Sequence, residues 1–204
     1  MEEINCNTTA GMLVCGCDEA GRGPLAGPVF AGAVILPQGF SHPLVRDSKK
    51  LSEKQRLQAR EIILENALAW GVASCSPAEI DKLNILWASV EAMKRAVASL
   101  ALVPDLLLID GNRFSRYLTA DGKEIPHRTI VHGDAIEPAI SAASILAKTS
   151  RDEYMKELAK KYPQYGWDHN MAYPTAEHRE AIARYGITEH HRKSFIHPVE
   201  AELF

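Results

Sequence analysis

No apolar run in this chain approaches the roughly 20 residues that a membrane span requires, so a transmembrane protein is not expected. Cysteine is scarce: Cys6, Cys15, Cys17 and Cys75 form no C-x-x-C pair and no framework for a chain of 204 residues. That excludes a disulfide scaffold. Two of the four lie in apolar core-like runs, and reduced thiols in a cytoplasmic protein are the expected state. Excess positive charge is also missing, because the formal net charge is −3. A non-specific polycationic DNA binder is thereby excluded, but a nucleic-acid enzyme with an acidic metal site and local basic groups is not. The acidic start, Met1-Glu2-Glu3-Ile4-Asn5-Cys6, is not that of a secretory signal. Internal repeats and low-complexity segments are absent.

What is present is an ordinary globular composition, 46% hydrophobic and 24% charged, at a length suited to one domain with a small terminal appendage. Residues 1–11 are polar and aperiodic, and predict a disordered tail. Residues 12–18 and 28–36 read as strands joined by a glycine-rich turn. Ser52 with Gln55 is a capping box that opens a helix to about Leu68, with Leu57, Ile62, Ile63, Leu64 and Leu68 as its apolar positions. A third strand follows at 70–75. Ser76-Pro77 starts a short helix, and a longer one covers about 85–100. Leu106-Leu107-Leu108-Ile109 predicts a strand buried on both faces, and 129–131 a short strand. Residues 113–128 read as a polar connection with a turn at Asp121-Gly122. A small-residue helix runs from about 140 to Lys160, an aromatic loop spans 162–167, and a last helix ends near Tyr185. The order is that of an α/β sheet with antiparallel first strands and parallel later ones. Residues 12–160 are expected to form the main domain, with 161–204 packed on it as a small helical C-terminal part.

Three apolar runs each lead into acids: Asp18 with Glu19, Asp110, and Asp134. Strand carboxyl ends share one edge in α/β sheets, so four carboxylates there could hold two hard divalent cations around a phosphate. The competing reading makes them turn or helix-cap residues. Gly21-Arg22-Gly23 next to the first pair lets backbone N–H groups and one cation approach a phosphate. Gly21 to Ala26 also satisfies G-x-G-x-x-A, but a strand rather than a helix follows and two acids precede it, so a dinucleotide site is rejected. Arg46, Lys49 and Lys50, then Arg113, Arg116 and Arg128, and finally His190 to Lys193 are local basic clusters, each of which could equally be a solvated face.

These residues carry a family resemblance. Residues 17–29 (CDEAGRGPLAGPV), 47–52 (DSKKLS), 80–85 (IDKLNI), 110–112 (DGN), 142–148 (AASILAK), Arg151-Asp152 and 191–195 (HRKSF) are similar to the signatures of prokaryotic type 2 ribonuclease H, in the same order over about 12–198. Gly-Arg-Gly in the turn resembles the type 2 rather than the type 3 enzyme. The resemblance implies a ribonuclease H-like fold and Mg²⁺- or Mn²⁺-dependent cleavage of RNA in RNA–DNA hybrids. It also implies incision 5′ of single ribonucleotides in duplex DNA, by two-metal hydrolysis leaving 3′-hydroxyl and 5′-phosphate ends. Asp18, Glu19, Asp110 and Asp134 fall on the family's acidic quartet, Gly21, Arg22 and Gly23 on its junction-sensing turn, and Tyr173 on a tyrosine that packs against a sugar. Tyr173 alone would read as a core residue. Lys49 and Lys50 are candidate phosphate contacts.

The sequence departs from the family where His132-Gly133-Asp134 replaces Lys-Gly-Asp and Met171-Ala172-Tyr173 replaces Lys-Gly-Tyr. Both changes remove a fixed positive charge, which implies weaker and, through His132, more pH-sensitive substrate binding. A monomer is expected, with Glu200-Ala201-Glu202-Leu203-Phe204 a possible sliding-clamp contact. Rival readings are a DNA-repair nuclease of the same superfamily and a non-catalytic hybrid-binding protein.

Overall fold

The structure of the protein, a computed structural model, describes residues 11–196. At its centre lies β1 (Val14–Ala20). Alternation along this strand turns Cys15 and Cys17 to one face, where both are fully buried, and Gly16 and Asp18 to the other. β2 (Val29–Ile35) runs antiparallel to it, with Asp18 opposite Gly32 and Glu19 opposite Ala31. β3 (Ala69–Cys75) continues the antiparallel side. On the other flank β4 (Leu106–Asp110) pairs parallel with β1. A small hairpin of β5 (Tyr117–Leu118) and β6 (Glu124–Ile125) leads into β7 (His127–Ile130), which is parallel to β4. The five-stranded order is β3-β2-β1-β4-β7. The carboxyl ends of β1, β4 and β7 therefore share one edge.

Helices cover both faces. α1 (Glu53–Asn66) and α2 (Pro77–Leu83) each open on a closed capping box, Ser52 with Gln55 and Ser76 with Glu79. α3 (Ile85–Ala98) begins after Asn84 and buries Ala88, Ala92, Met93 and Val97 against the Cys15/Cys17 face. α4 (Pro138–Lys161) lies on the opposite face. It can lie close because β1 and β2 present glycines there: a Cβ on Gly16 would run into the backbone of Ala139 and Ile140, and one on Gly32 into that of Ala143. The second half of α4 supplies Met155, Leu158 and Ala159 to a satellite core. Tyr165, Trp167 of α5 (Trp167–Asn170) and Ile182 of α6 (Ala176–Tyr185) complete it. Among the described residues no helix is long and apolar enough to cross a membrane.

Several local expectations are corrected. β1 starts two residues later and ends two residues later than the apolar run suggests, so Asp18 and Glu19 sit within the ladder rather than at its tip. The partner strand supplies the reason, since Gly32 and Ala31 extend the pairing past the apolar residues. Leu57 faces solvent because α1 buries only the stripe of Ala59 and Ile63, and Leu68 lies beyond the end of α1 at Asn66 and is exposed. Val131 lies beyond β7 and is exposed. The polar stretch after Asp110 contains the β5–β6 hairpin, with Ile125 buried in the main core. The basic cluster at 190–193 is no solvated face: His191 and Arg192 are fully buried, and Ala26 pairs with His191 in an antiparallel bridge. Residues 1–10 of the predicted 1–11 tail and the clamp contact at 200–204 lie outside the described residues.

Candidate active site

A cleft of about 280 Å³ opens at the carboxyl edge of the sheet. Its walls include Asp18, Glu19, Asp110, Gly21, Arg22, Gly23, Lys49 and Tyr173. β1 delivers the first two acids from opposite sides of its pleat. Asp18 is only 5% exposed; its Oδ1 accepts from the Glu19 amide at 2.7 Å. Burial, together with the charges of Glu19 and Asp110, pushes its carboxyl well above the usual carboxylate range, against the opposing effect of a Ser144 hydrogen bond. Glu19 accepts from Arg22 Nη1 at 3.1 Å. Burial raises its pKa too, with Arg22 opposing and Asp110 adding to the rise. Asp110, the last residue of β4, accepts from the Gly133 amide at 2.8 Å.

Asp134 does not stand at a strand end. It lies in a 3₁₀ turn, Gly133–Ala135, four residues past β7, with its backbone carbonyl bonded to Ser141 Oγ at 2.7 Å. Nor is it the cap of α4, whose N-cap is Glu137. Its Oδ2 meets Lys49 Nζ at 3.3 Å. Burial opposes the Lys49 charge, but the carboxylates of Asp134, Asp18 and Asp47 outweigh it and raise the ammonium's pKa. Lys50 is turned to Asp47 at 3.6 Å and is no part of the cleft wall.

Oxygen-only donors that repel one another are the chemistry a hard dication takes and relieves. Among the described residues no three such side chains already form a closed ligand group. Asp110 is held by the Gly133 amide and Asp134 by Lys49, leaving the cluster open toward the cleft. The residues present thus fit a divalent ion by donor type and charge.

The turn after β1 faces the same cleft. Gly21 has φ +93, and a Cβ there would strike the Arg151 side chain, so only glycine fits. Tyr173 is 43% exposed, and its ring edge lies 3.4 Å from where a Gly23 Cβ would sit. Its backbone is braced from within. Trp167 Nε1 donates to His178 Nε2 at 2.9 Å, which puts the His178 proton on Nδ1, 3.1 Å from the Tyr173 carbonyl. The preceding Met171 and Ala172 have φ of 50 and 61. Ala172 therefore carries a Cβ in the left-handed region where the family pattern has glycine.

Sequence reasoning assigned no role to Ser48, Ser144, Arg56 and Lys148, all of which line the cleft. Ser48 and Ser144 share a hydrogen bond of 3.0 Å, and Lys148 pairs with Asp152 at 2.7 Å. The only sequence signal for Ser48, Ser144 and Lys148 is membership of the 47–52 and 142–148 matches, and Arg56 lies in none of the matched segments.

The pattern described as ribonuclease HII matches residues 15–198. The chain belongs to the ribonuclease HII family. It is 54% identical over 188 residues to the ribonuclease HII of Porphyromonas gingivalis, covering 92% of this chain and 91% of that one. The fold is similar to that of ribonuclease H2 from Pyrococcus horikoshii OT3, with TM-score 0.72, 27% identity, and 90% and 93% of the two chains covered. It is also similar to a crystal structure of Bst-RNase HIII in complex with Mn²⁺, with TM-score 0.73 and 19% identity over 98% of this chain and 73% of that one. The architecture is the α/β ribonuclease H-like fold.

Proposed function

We propose that this ribonuclease HII cleaves RNA within RNA–DNA hybrids and incises 5′ of single ribonucleotides in duplex DNA, leaving 3′-hydroxyl and 5′-phosphate ends. The observation that carries the reading is the meeting in one cleft of Asp18, Glu19 and Asp110 with the Gly21–Gly23 turn and Tyr173. The turn exposes the backbone of Arg22 and Gly23 to the cleft, where it can meet a 2′-hydroxyl, the group that separates RNA from DNA at one nucleotide. Tyr173 offers a ring face to the neighbouring sugar, where an added hydroxyl would crowd it.

The family is metal-dependent, and Asp18, Glu19, Asp110 and Asp134 are the residues that would hold divalent ions, Mg²⁺ or Mn²⁺. When bound, such ions supply an activated water and charge stabilisation for the leaving oxygen. The chain's own residues do the rest. Burial and the neighbouring carboxylates disfavour the charged forms of Asp18 and Glu19, and Arg22 offsets this only at Glu19. Lys49 holds Asp134 near the cluster and presents a cation to a phosphate.

The test is incision of a duplex carrying one ribonucleotide against the same duplex in all-DNA form, with Mg²⁺ and with Mn²⁺. Cutting only the first, on the 5′ side of the ribonucleotide, is the expected result. Asp110→Asn should lower the rate by more than about a hundredfold, since one charge of the cluster is lost. Equal cutting of both duplexes, or an Asp110→Asn enzyme as fast as the parent, overturns the reading.

A further inference from the structure

Two arginines, Arg151 and Arg192, lie fully buried beneath the Gly21–Gly23 turn, and each guanidinium is bonded to backbone carbonyls instead of a carboxylate. Such an arrangement is expensive. Burial and the neighbouring Arg151 charge bring the pKa of Arg192 down to about 9, and an apolar side chain would fill the space at lower cost. What the charge holds is specific. Arg192 Nη2 donates to the Gly21 carbonyl at 2.7 Å, Nη1 to the Arg22 carbonyl at 2.9 Å, and Nε to the Gly27 carbonyl at 2.9 Å.

The trans peptide fixes the consequence. In each planar unit the C=O and the following N–H point in opposite directions. With the Gly21 and Arg22 carbonyls drawn inward to one guanidinium, the N–H groups of Arg22 and Gly23 are turned outward. Arg22 and Gly23 are exposed and line the cleft. Two neighbouring donors thus face the place where the substrate's sugar would lie.

Arg192 is itself anchored. Its amide donates to the Leu25 carbonyl at 2.8 Å. The next two residues are clamped by α2, where Asp81 accepts from the Lys193 amide at 3.0 Å, the Ser194 amide at 2.9 Å and the Ser194 hydroxyl. The 80–85 and 191–195 segments, far apart in sequence and without a part in the chemistry, meet in this one brace.

We infer that Arg192, anchored through Asp81, is a positioning residue that aims the Arg22 and Gly23 amides at the 2′-hydroxyl and so sets the enzyme's preference for ribose. This rests on the function proposed above and names the device behind its selectivity. Lysine at 192 keeps a charge but cannot span three carbonyls, and alanine at 81 unclamps the segment without touching the buried region.

The experiment measures single-turnover incision at one position carrying either a ribonucleotide or its 2′-fluoro-deoxy analogue, whose fluorine accepts hydrogen bonds poorly. The wild type, Arg192→Lys, Asp81→Ala and the double variant are compared, with thermal unfolding as a control. The ribose-over-fluoro ratio should fall about tenfold in Arg192→Lys and in the same direction in Asp81→Ala, because misaimed donors cost about that much or more. The double variant should lose less than the product of the two. A purely structural role would slow both substrates equally, and an unchanged ratio overturns the inference. Should Arg192→Lys not fold, Asp81→Ala alone decides the matter. A wild type that fails to cut at the ribonucleotide overturns instead the function on which the inference stands.

Discussion

His178 and His191 lie 5.5 Å apart, centre to centre, among the rings of Tyr165 and Trp167. Thr188 donates its amide to His191 Nδ1 at 2.9 Å, so the proton is on Nε2, which finds no acceptor among the described residues, and the ring packs against those of Tyr165 and Trp167. Burial and the neighbouring histidines hold His191 down at about 3, and burial lowers His178 as well. A base whose folded pKa is depressed contributes stability above its unfolded pKa, near 6.5, and loses it as pH falls. For His191 the loss runs from about pH 6.5 toward pH 3. His191→Gln keeps an acceptor for Thr188 but does not titrate. Its unfolding free energy, measured by urea titration between pH 6 and pH 4, should fall with a slope smaller by about 1.4 kcal/mol per pH unit, one proton's worth. An unchanged slope would show that this ring takes no proton on unfolding. The residue matters beyond stability, because the same nest carries the Trp167–His178–Tyr173 chain that fixes the cleft tyrosine.

At the scale of elements, close packing of α4 on β1 and β2 depends on having nothing at two positions. Gly32→Ala should destabilise by about 1–3 kcal/mol, since its methyl would have to displace the α4 backbone at Ala143 rather than a flexible side chain. Denaturant unfolding of this variant beside Gly39→Ala, where a Cβ has open space though φ is +77, separates steric clash from backbone strain. The elements that the sequence announced are those with local causes. Ser52 with Gln55 and Ser76 with Pro77 are read within four residues, and the structure contains the first as a closed box and the second as a cap that Glu79 also closes into a box. Non-local causes were invisible. The end of β1 depends on Gly32 and Ala31 in its partner strand. Asp134 leaves the strand for a turn set by the Ser141 contact. Arg192 looks like surface charge until the carbonyls of Gly21, Arg22 and Gly27 are assembled around it. Of the candidate site, Asp18, Glu19 and Asp110 could be grouped from their place after apolar runs, whereas Lys49 and Lys50 could not be told apart. Only the fold turns one toward Asp134 and the other toward Asp47.

For the whole molecule, a net charge of −3 coexists with Arg22, Lys49, Arg56 and Lys148 around one cleft. A negatively charged protein meant to hold a polyanion relies on such local cations, and binding should weaken steeply with salt as phosphate counterions are released. With Asp110→Asn as a cleavage-deficient background, Lys49→Ala should reduce the slope of log affinity against log salt by about one, the share of a single phosphate contact. Lys50→Ala should leave it unchanged. Equal effects would place both lysines on the substrate.

One helix joins the two halves of that cleft. Ser144 of α4 stands beside Asp18, and Arg151, seven residues on, stands under Gly21. Seven residues are close to two helical turns, about 10.5 Å along one side of a rigid rod. α4 is therefore a ruler. It fixes how far the carboxylates stand from the backbone donors, and its units are whole turns. A single residue inserted between Ser144 and Arg151 would rotate one mark by about 100° away from the other. The separation between the buried carboxylates and the Gly21–Gly23 backbone is thus written in the length of one helix.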